Sequence, residues 1–76
     1  MKNNKCNFNY RLLRGRIVAE CETIGDFAKE FGCSRTLISN KLNNRLKFST
    51  DDIVKICEIL NIPRDEIGMY FFTKAD

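Results

Sequence analysis

The sequence contains no histidine and no tryptophan, and it has only one proline and four glycines in 76 residues. Without histidine, the commonest general base and the commonest metal ligand are both missing. Few prolines and glycines mean few obligatory breaks, and hydrophobic residues make up 43% of the chain. This composition favours a packed helical domain over a disordered or β-rich one. No apolar run reaches the roughly 18 residues that a membrane-spanning helix needs, so we expect a cytoplasmic protein with no membrane partner.

The length of the chain sets the number of domains. A chain this short buries only about 60% of the surface that its unfolded form exposes, which is too little for two independent cores. Residues 1–7 are polar, and the first ten residues lack the apolar core of a signal peptide. We therefore predict a flexible polar tail over residues 1–7 and a single domain over residues 8–76.

Four cysteines raise the question of a zinc site or of disulfide bonds. They contain no C-x-x-C pair, and without histidine a zinc site would need all four thiolates at unusual spacings. Cys21, Cys33 and Cys57 each lie on an apolar stripe, where a reduced cysteine acts as a small hydrophobic residue. We predict no metal and no cofactor. Because no nucleophile has an evident base, we also predict that the protein is not an enzyme.

Charge is unevenly distributed along the sequence. Residues 1–50 carry ten Lys or Arg and four Asp or Glu, for a net charge of +6, whereas residues 51–76 have a net charge of −3. No acid occurs between Glu30 and Asp51. Four basic residues lie in that interval, namely Arg35, Lys41, Arg45 and Lys47. An acid-free basic segment is typical of a surface that meets nucleic acid or another negatively charged partner.

Helical spacing of apolar residues predicts five helices. The first covers residues 10–21, with a stripe that includes Leu13 and Ile17 and is widened by Val18. Gly15 lies inside this helix, so either a neighbouring helix approaches closely there or a loss of about 1 kcal/mol is tolerated. Thr23 and Asp26 form a start signal for the second helix, residues 24–31.

The remaining helices follow from similar start and stop signals. Gly32 suits the end of helix 2 because it takes a left-handed conformation without strain, and Ser34 caps helix 3, residues 35–43. Ser49 with Asp52 predicts the start of helix 4. Pro63 suits the first position of a short fifth helix that reaches residue 70. The apolar end of the chain, residues 70–72, is expected to close onto the core, with a dimer interface as the alternative.

Phe27 and Ala28, followed by Gly32, Ser34 and Ile38, resemble the helix-turn-helix of phage repressors and Cro proteins, the lambda-repressor-like class. GRIVAE near the start, S-x-K-L-N at the end of helix 3 and DD-I…IL-N-I-x-x-x-x-I-x-x-YFF are similar to small regulators of Gram-positive temperate phages. The resemblance implies an all-α, compact five-helix lambda-repressor-like domain with a helix-turn-helix formed by helices 2 and 3. Members are described either as Cro-like repressors or as modulators of repression, which bind the phage repressor protein.

A Cro-like role implies that helix 3 enters the major groove of double-stranded operator DNA. The base-reading residues would then be Arg35, Thr36, Ser39 and Asn40, and the phosphate-binding residues would be Lys41, Arg45 and Lys47. Such a repressor would repress one promoter of a lysis-lysogeny switch in the bacterial host. Small repressors of this class commonly bind paired half-sites as homodimers.

Two positions depart from the DNA-binding pattern. DNA-binding members often begin helix 2 with a glutamine that bonds a phosphate, whereas this sequence has Ile24. Near the end of helix 3, Lys41 occupies a position that is usually apolar. These departures favour the alternative function, an antirepressor or modulator of repression whose basic residues pair with acidic groups of a phage repressor protein.

Overall fold

The computed structural model describes residues 8–75, and these residues form five α-helices and one 3-10 turn. The predicted polar tail, residues 1–7, lies outside the described residues, as does Asp76. The elements are α1 (Arg11–Cys21), α2 (Ile24–Phe31), α3 (Arg35–Leu42), α4 (Thr50–Leu60), the 3-10 turn (Arg64–Glu66) and α5 (Ile67–Phe71). The predicted all-α fold with five helices is confirmed. No helix within residues 8–75 is long and apolar enough to cross a membrane.

Three helices begin at the hydroxyl residues that the sequence indicated. The side chains of Thr23, Ser34 and Ser49 accept hydrogen bonds of 3.0, 3.1 and 3.0 Å from the backbone amides three residues later. Each bond satisfies an amide that has no partner inside the helix. Gly32 ends α2 with φ of 95°, a left-handed conformation that glycine adopts without a Cβ clash.

The core lies between α1 and the other helices. Its largest fully buried side chains are Leu13, Ile17, Phe27, Ile38, Ile56, Leu60 and Phe71. Val18 was expected to widen the apolar stripe of α1, but this was wrong because its side chain is 51% exposed. Apart from the adjacent backbone of α1 itself, a Cβ added to Gly15 would meet no atom of residues 8–75 within 4 Å, so no neighbouring helix in this part of the chain requires a glycine there.

The C-terminal helix begins later than predicted. Pro63 has ψ of 155°, which is extended rather than helical, and the 3-10 turn separates it from α5. Tyr70 and Phe71 are buried in the core, which confirms the predicted closure for these two residues. Phe72 is 53% exposed, and its ring packs edge-on against Phe8 with centroids 5.7 Å apart.

Arg16 fixes the corner between α4 and α5 from its position on α1. Its guanidinium donates to the carbonyl oxygens of Leu60 and Asn61 at 3.0 and 2.8 Å and to the Tyr70 hydroxyl at 3.3 Å. The two carbonyls belong to the end of α4, where backbone acceptors lack helical partners. The planar guanidinium therefore serves as a C-terminal cap for another helix.

Candidate functional site

Helix α3 presents a polar outer face because its inner face is fixed against α2. Ile38 is fully buried, and Ala28 on α2 is small enough to let the two helices approach closely. The turn between them, residues 32–34, is short because Gly32 closes α2 and Ser34 opens α3. The outward side chains of α3 are thus held on a rigid element, which is what a recognition surface requires.

The four predicted base-reading residues are only partly exposed as a group. Arg35 and Thr36, in the first turn of α3, are exposed, whereas Ser39 and Asn40 are half-buried. The stem of Arg35 lies beside α2, with its Cδ 3.7 Å from the place where a Cβ on Gly25 would stand. The carbonyl of Asn40 accepts the backbone amides of Arg45 and Leu46 at 2.8 and 3.3 Å, so the following loop folds back over this turn.

The three predicted phosphate-binding residues separate into two groups. Lys41 forms an ion pair with Asp52 of α4, and its side chain is only 13% exposed. Its ammonium also donates to the carbonyl of Lys47 at 3.3 Å and lies 5.8 Å from the centroid of the Phe48 ring. Lys41 therefore cross-links α3 to α4 and is not free to neutralise an external phosphate.

Arg45 and Lys47 are exposed and have no ion-pair partner within residues 8–75. They flank Leu46 in the loop that joins α3 to α4. Because Arg35 lies at the opposite end of α3, the free cations do not form one cluster. A helix of eight residues is about 12 Å long. Arg35 therefore lies at one end of a strip of roughly that length, and Arg45 and Lys47 lie at the other.

Asp52 has two structural functions at the start of α4. It completes a capping box. The Asp52 carboxylate accepts a hydrogen bond from the Ser49 amide at 3.0 Å, and the Ser49 hydroxyl accepts one from the Asp52 amide. Burial alone would raise the pKa of Asp52, but the hydrogen bonds from Lys41 and Ser49 outweigh burial and hold the pKa below its ordinary value. Asp52 is thus the anion that neutralises the positive charge of Lys41.

A groove beside the α3–α4 loop was not predicted from the sequence. It encloses a volume of about 140 Å³. Its lining is formed by Phe8, Tyr10, Asn44, Arg45, Leu46, Lys47, Phe48, Ile53, Phe71 and Phe72. The only sequence signal was the concentration of aromatic residues near both ends of the chain, and that signal did not show that the two ends meet.

The thiols within residues 8–75 are free, and none of them lies in the groove lining. Cys21 is buried, and Cys33 and Cys57 are half-buried. Burial raises the pKa of all three thiols, and for Cys21 the nearby Glu30 carboxylate raises it further. These cysteines therefore fit the predicted role of small core residues.

The helical fold and the polar face of α3 define a small all-α domain with an exposed polar helix, and comparison with known proteins narrows the class. The chain belongs to the family described as "Protein of unknown function (DUF739)", whose model matches residues 6–74. It is similar to the modulator of repression (MOR) of the temperate bacteriophage TP901-1 from Lactococcus lactis, known from its solution structure. The two chains are 34% identical, with a TM-score of 0.77, over 86% of this chain and 88% of the phage protein. No curated protein matches the chain.

Proposed function

We propose that the protein is a modulator of repression that binds the repressor protein of a temperate phage and blocks or alters its binding to operator DNA. The observation that carries this proposal is the similarity to the modulator of repression of phage TP901-1, which extends over nearly the whole of both chains. The proposed site of action is the cytoplasm of the bacterial host, where the repressor and its operator meet.

The geometry of α3 supports a protein partner more than direct reading of DNA. Of the seven residues predicted to contact DNA, Lys41 is held by Asp52, and Ser39 and Asn40 are half-buried. Ile24 replaces the side chain that would bond a phosphate at the start of α2. A sequence-specific protein depends on many phosphate contacts for its affinity, and here that set is reduced.

Direct binding of operator DNA is the second candidate function. The observation in its favour is the exposed pair Arg35 and Thr36 in the first turn of α3, where recognition helices contact base edges. Arg45 and Lys47 would supply phosphate contacts, and a homodimer would be needed to span paired half-sites. An arginine that binds a guanine in two places contributes about 1 to 3 kcal/mol to discrimination between bases.

One titration separates the two functions. Fluorescence anisotropy of a labelled operator duplex is measured with this protein alone, with the phage repressor alone and with both together, at two salt concentrations. We expect no sequence-specific binding by this protein alone and a changed affinity of the repressor when both are present. Calorimetry of the two proteins without DNA should show a direct complex.

If this protein alone does bind operator DNA, substituted variants show whether α3 reads the sequence. Specific DNA binding by this protein alone, weakened about tenfold or more by Arg35→Ala, would establish the DNA-reading function instead. Arg64→Ala is the matched control, because Arg64 is an exposed arginine outside the α3 surface. The absence of any complex with the repressor, together with an unchanged repressor–operator affinity, would contradict the proposed function.

A further inference from the structure

The groove beside the α3–α4 loop combines an aromatic interior with a positively charged rim. Its apolar lining comes mainly from Phe8, Tyr10, Phe48, Phe71 and Phe72. Two cations, Arg45 and Lys47, belong to the same lining, and none of the ten lining residues is acidic. Concave apolar sites with a few polar groups at defined positions are typical of binding sites.

The groove is held in shape by contacts that cross the sequence. The Asn44 side-chain amide accepts from the backbone N–H of Phe8 at 3.1 Å and donates to the Phe8 carbonyl at 2.8 Å. Phe48 packs edge-on against Tyr10 and Phe71, with centroids 5.2 and 5.6 Å apart. A preformed site loses less entropy when it binds a ligand, and this groove has both a fixed backbone and an interlocked aromatic wall.

Two exposed apolar side chains lie at the mouth of the groove. Leu46 is 44% exposed and Phe72 is 53% exposed. The neighbouring lining residues Tyr10 and Phe71, by contrast, are almost completely buried. Covering these two side chains would remove further apolar surface from water. Their position beside Arg45 and Lys47 means that the covering surface has to tolerate two positive charges.

We infer that this groove binds one apolar side chain of an acidic segment of the partner protein, with the carboxylates of that segment paired to Arg45 and Lys47. A dry apolar cavity of about 150 Å³ takes up a molecule of benzene, and the 140 Å³ of this groove suits one leucyl or phenylalanyl side chain. The inference rests on the proposed function, because it identifies the surface that the repressor contacts.

Charge complementarity and shape together favour a protein segment over DNA. Phosphates could pair with Arg45 and Lys47, but a stacked duplex has no free apolar side chain to place against Phe48 and Phe72. An acidic segment with an apolar residue satisfies both parts of the groove at once. Rim charges of this kind chiefly steer association and make it sensitive to salt, whereas the buried anchor determines the rate of dissociation.

A synthetic peptide tests the groove without the repressor. The probe is Asp-Glu-Leu-Asp-Glu, acetylated and amidated at its ends, and the matched peptide has glycine in place of leucine. Binding to the full chain is followed by amide chemical shifts in two-dimensional NMR. We expect the leucine peptide to shift amides of residues 44–48 and 72, and to bind at least about tenfold more tightly than the glycine peptide.

Variants at the rim and at the mouth have matched controls elsewhere. Leu46→Ser should weaken the peptide several-fold, while Val54→Ser, at a side chain that is 53% exposed on α4, should leave its affinity unchanged. Arg45→Ala combined with Lys47→Ala should weaken it and reduce its salt dependence, whereas Arg64→Ala should not. Circular dichroism of each variant confirms that it is folded.

The outcomes separate the groove from the proposed function. Peptides that do not bind, or bind equally with leucine and glycine, would overturn the inference, as would displacement of the peptide by a short DNA duplex at stoichiometric concentration. Repressor binding that is weakened several-fold or more in Leu46→Ser but unchanged in Val54→Ser would support both proposals. If Leu46→Ser binds the repressor as the unmodified protein does, the function stands and the groove assignment is wrong. If the peptide binds as expected but the repressor does not, the groove stands and the proposed function is wrong.

Discussion

Glu22 has an unusual backbone conformation for a residue with a side chain. It lies between α1 and α2 with φ of 73° and ψ of −45°, and the amide of Thr23 donates to the carbonyl of Cys21 across it at 2.9 Å. This is a γ-turn with positive φ, a conformation that is rare and strained for residues other than glycine. The other two non-glycine residues with positive φ within residues 8–75 are Asn44 and Asn61. Asparagine tolerates left-handed geometry, so Glu22 is the strained one.

Replacing Glu22 with glycine should stabilise the protein. Strain of this kind costs on the order of 1 to 3 kcal/mol, and a glycine at the same place loses about 0.4 to 1 kcal/mol through the greater freedom of its unfolded chain. We therefore expect Glu22→Gly to raise the free energy of unfolding by about 1 kcal/mol. Urea unfolding followed by circular dichroism at 222 nm measures the change.

Glu22→Gln is the control for this substitution. It removes the same negative charge but keeps a side chain on the strained residue, so an effect of the lost charge is common to both variants. The relevant quantity is the difference in stability between the glycine and glutamine variants. A glycine variant that is less stable than the glutamine variant would mean that the backbone at Glu22 carries no strain.

At the scale of helices, the contact between α3 and α4 depends on Asp52. Its folded-state pKa lies below the ordinary value of 3.8. A carboxyl with a depressed pKa stabilises the fold above its unfolded-state pKa, and this contribution is lost as the pH falls through the folded-state value. The stability advantage of the unmodified protein over Asp52→Asn should therefore be constant near neutral pH and shrink progressively below about pH 4.

Urea unfolding of both proteins between pH 7 and the lowest pH at which they remain folded checks this expectation. Asp51→Asn is the charge-matched control, because Asp51 is an exposed acid in the same first turn and has no ion-pair partner within residues 8–75. If the advantage over Asp52→Asn does not change with pH, the carboxylate of Asp52 is not held in its charged form by Lys41.

The same contact shows which parts of the structure could be predicted from the sequence. The caps at Thr23, Ser34 and Ser49 were predictable because each donor lies only three residues from its acceptor. The ion pair of Lys41 joins residues eleven apart across a loop, so its partner was not evident. Lys41 was predicted to bind phosphate, and nothing in the sequence indicated that its ammonium would pair with Asp52.

Arg16 and Val18 illustrate the same limit on prediction for α1. Helical spacing placed Val18 near the apolar stripe, but no helix within residues 8–75 covers its side chain, which is half exposed. Arg16 lay off the stripe, yet it binds backbone carbonyls 44 and 45 residues away. The number of helices and their caps follow from local chemistry, whereas the use of each polar side chain depends on which distant segment lies beside it.

At the scale of the whole molecule, both ends of the described chain meet the α3–α4 loop. Phe8 and Lys74 form an isolated antiparallel bridge, and the amide of Asn9 donates to the carbonyl of Thr73 at 2.7 Å. The Asn44 side chain then ties Phe8 to the loop through two hydrogen bonds. The groove exists only because these three segments are held together, so its shape should depend on Asn44.

Asn44→Asp and Asn43→Asp add the same charge at adjacent positions but should have different effects. In Asn44→Asp the Phe8 carbonyl loses its donor and faces a carboxylate, so we expect the free energy of unfolding to fall by about 1 to 2 kcal/mol. The Asn43 oxygen already accepts from the Arg14 guanidinium at 2.7 Å, so a carboxylate there strengthens that bond. The stronger bond offsets the unfavourable interaction of the new carboxylate with the dipole at the C-terminus of α3. Urea unfolding at neutral pH should place Asn43→Asp within about 0.5 kcal/mol of the unmodified protein. Equal losses in the two variants would mean that the added charge, and not the link between Asn44 and Phe8, determines the result.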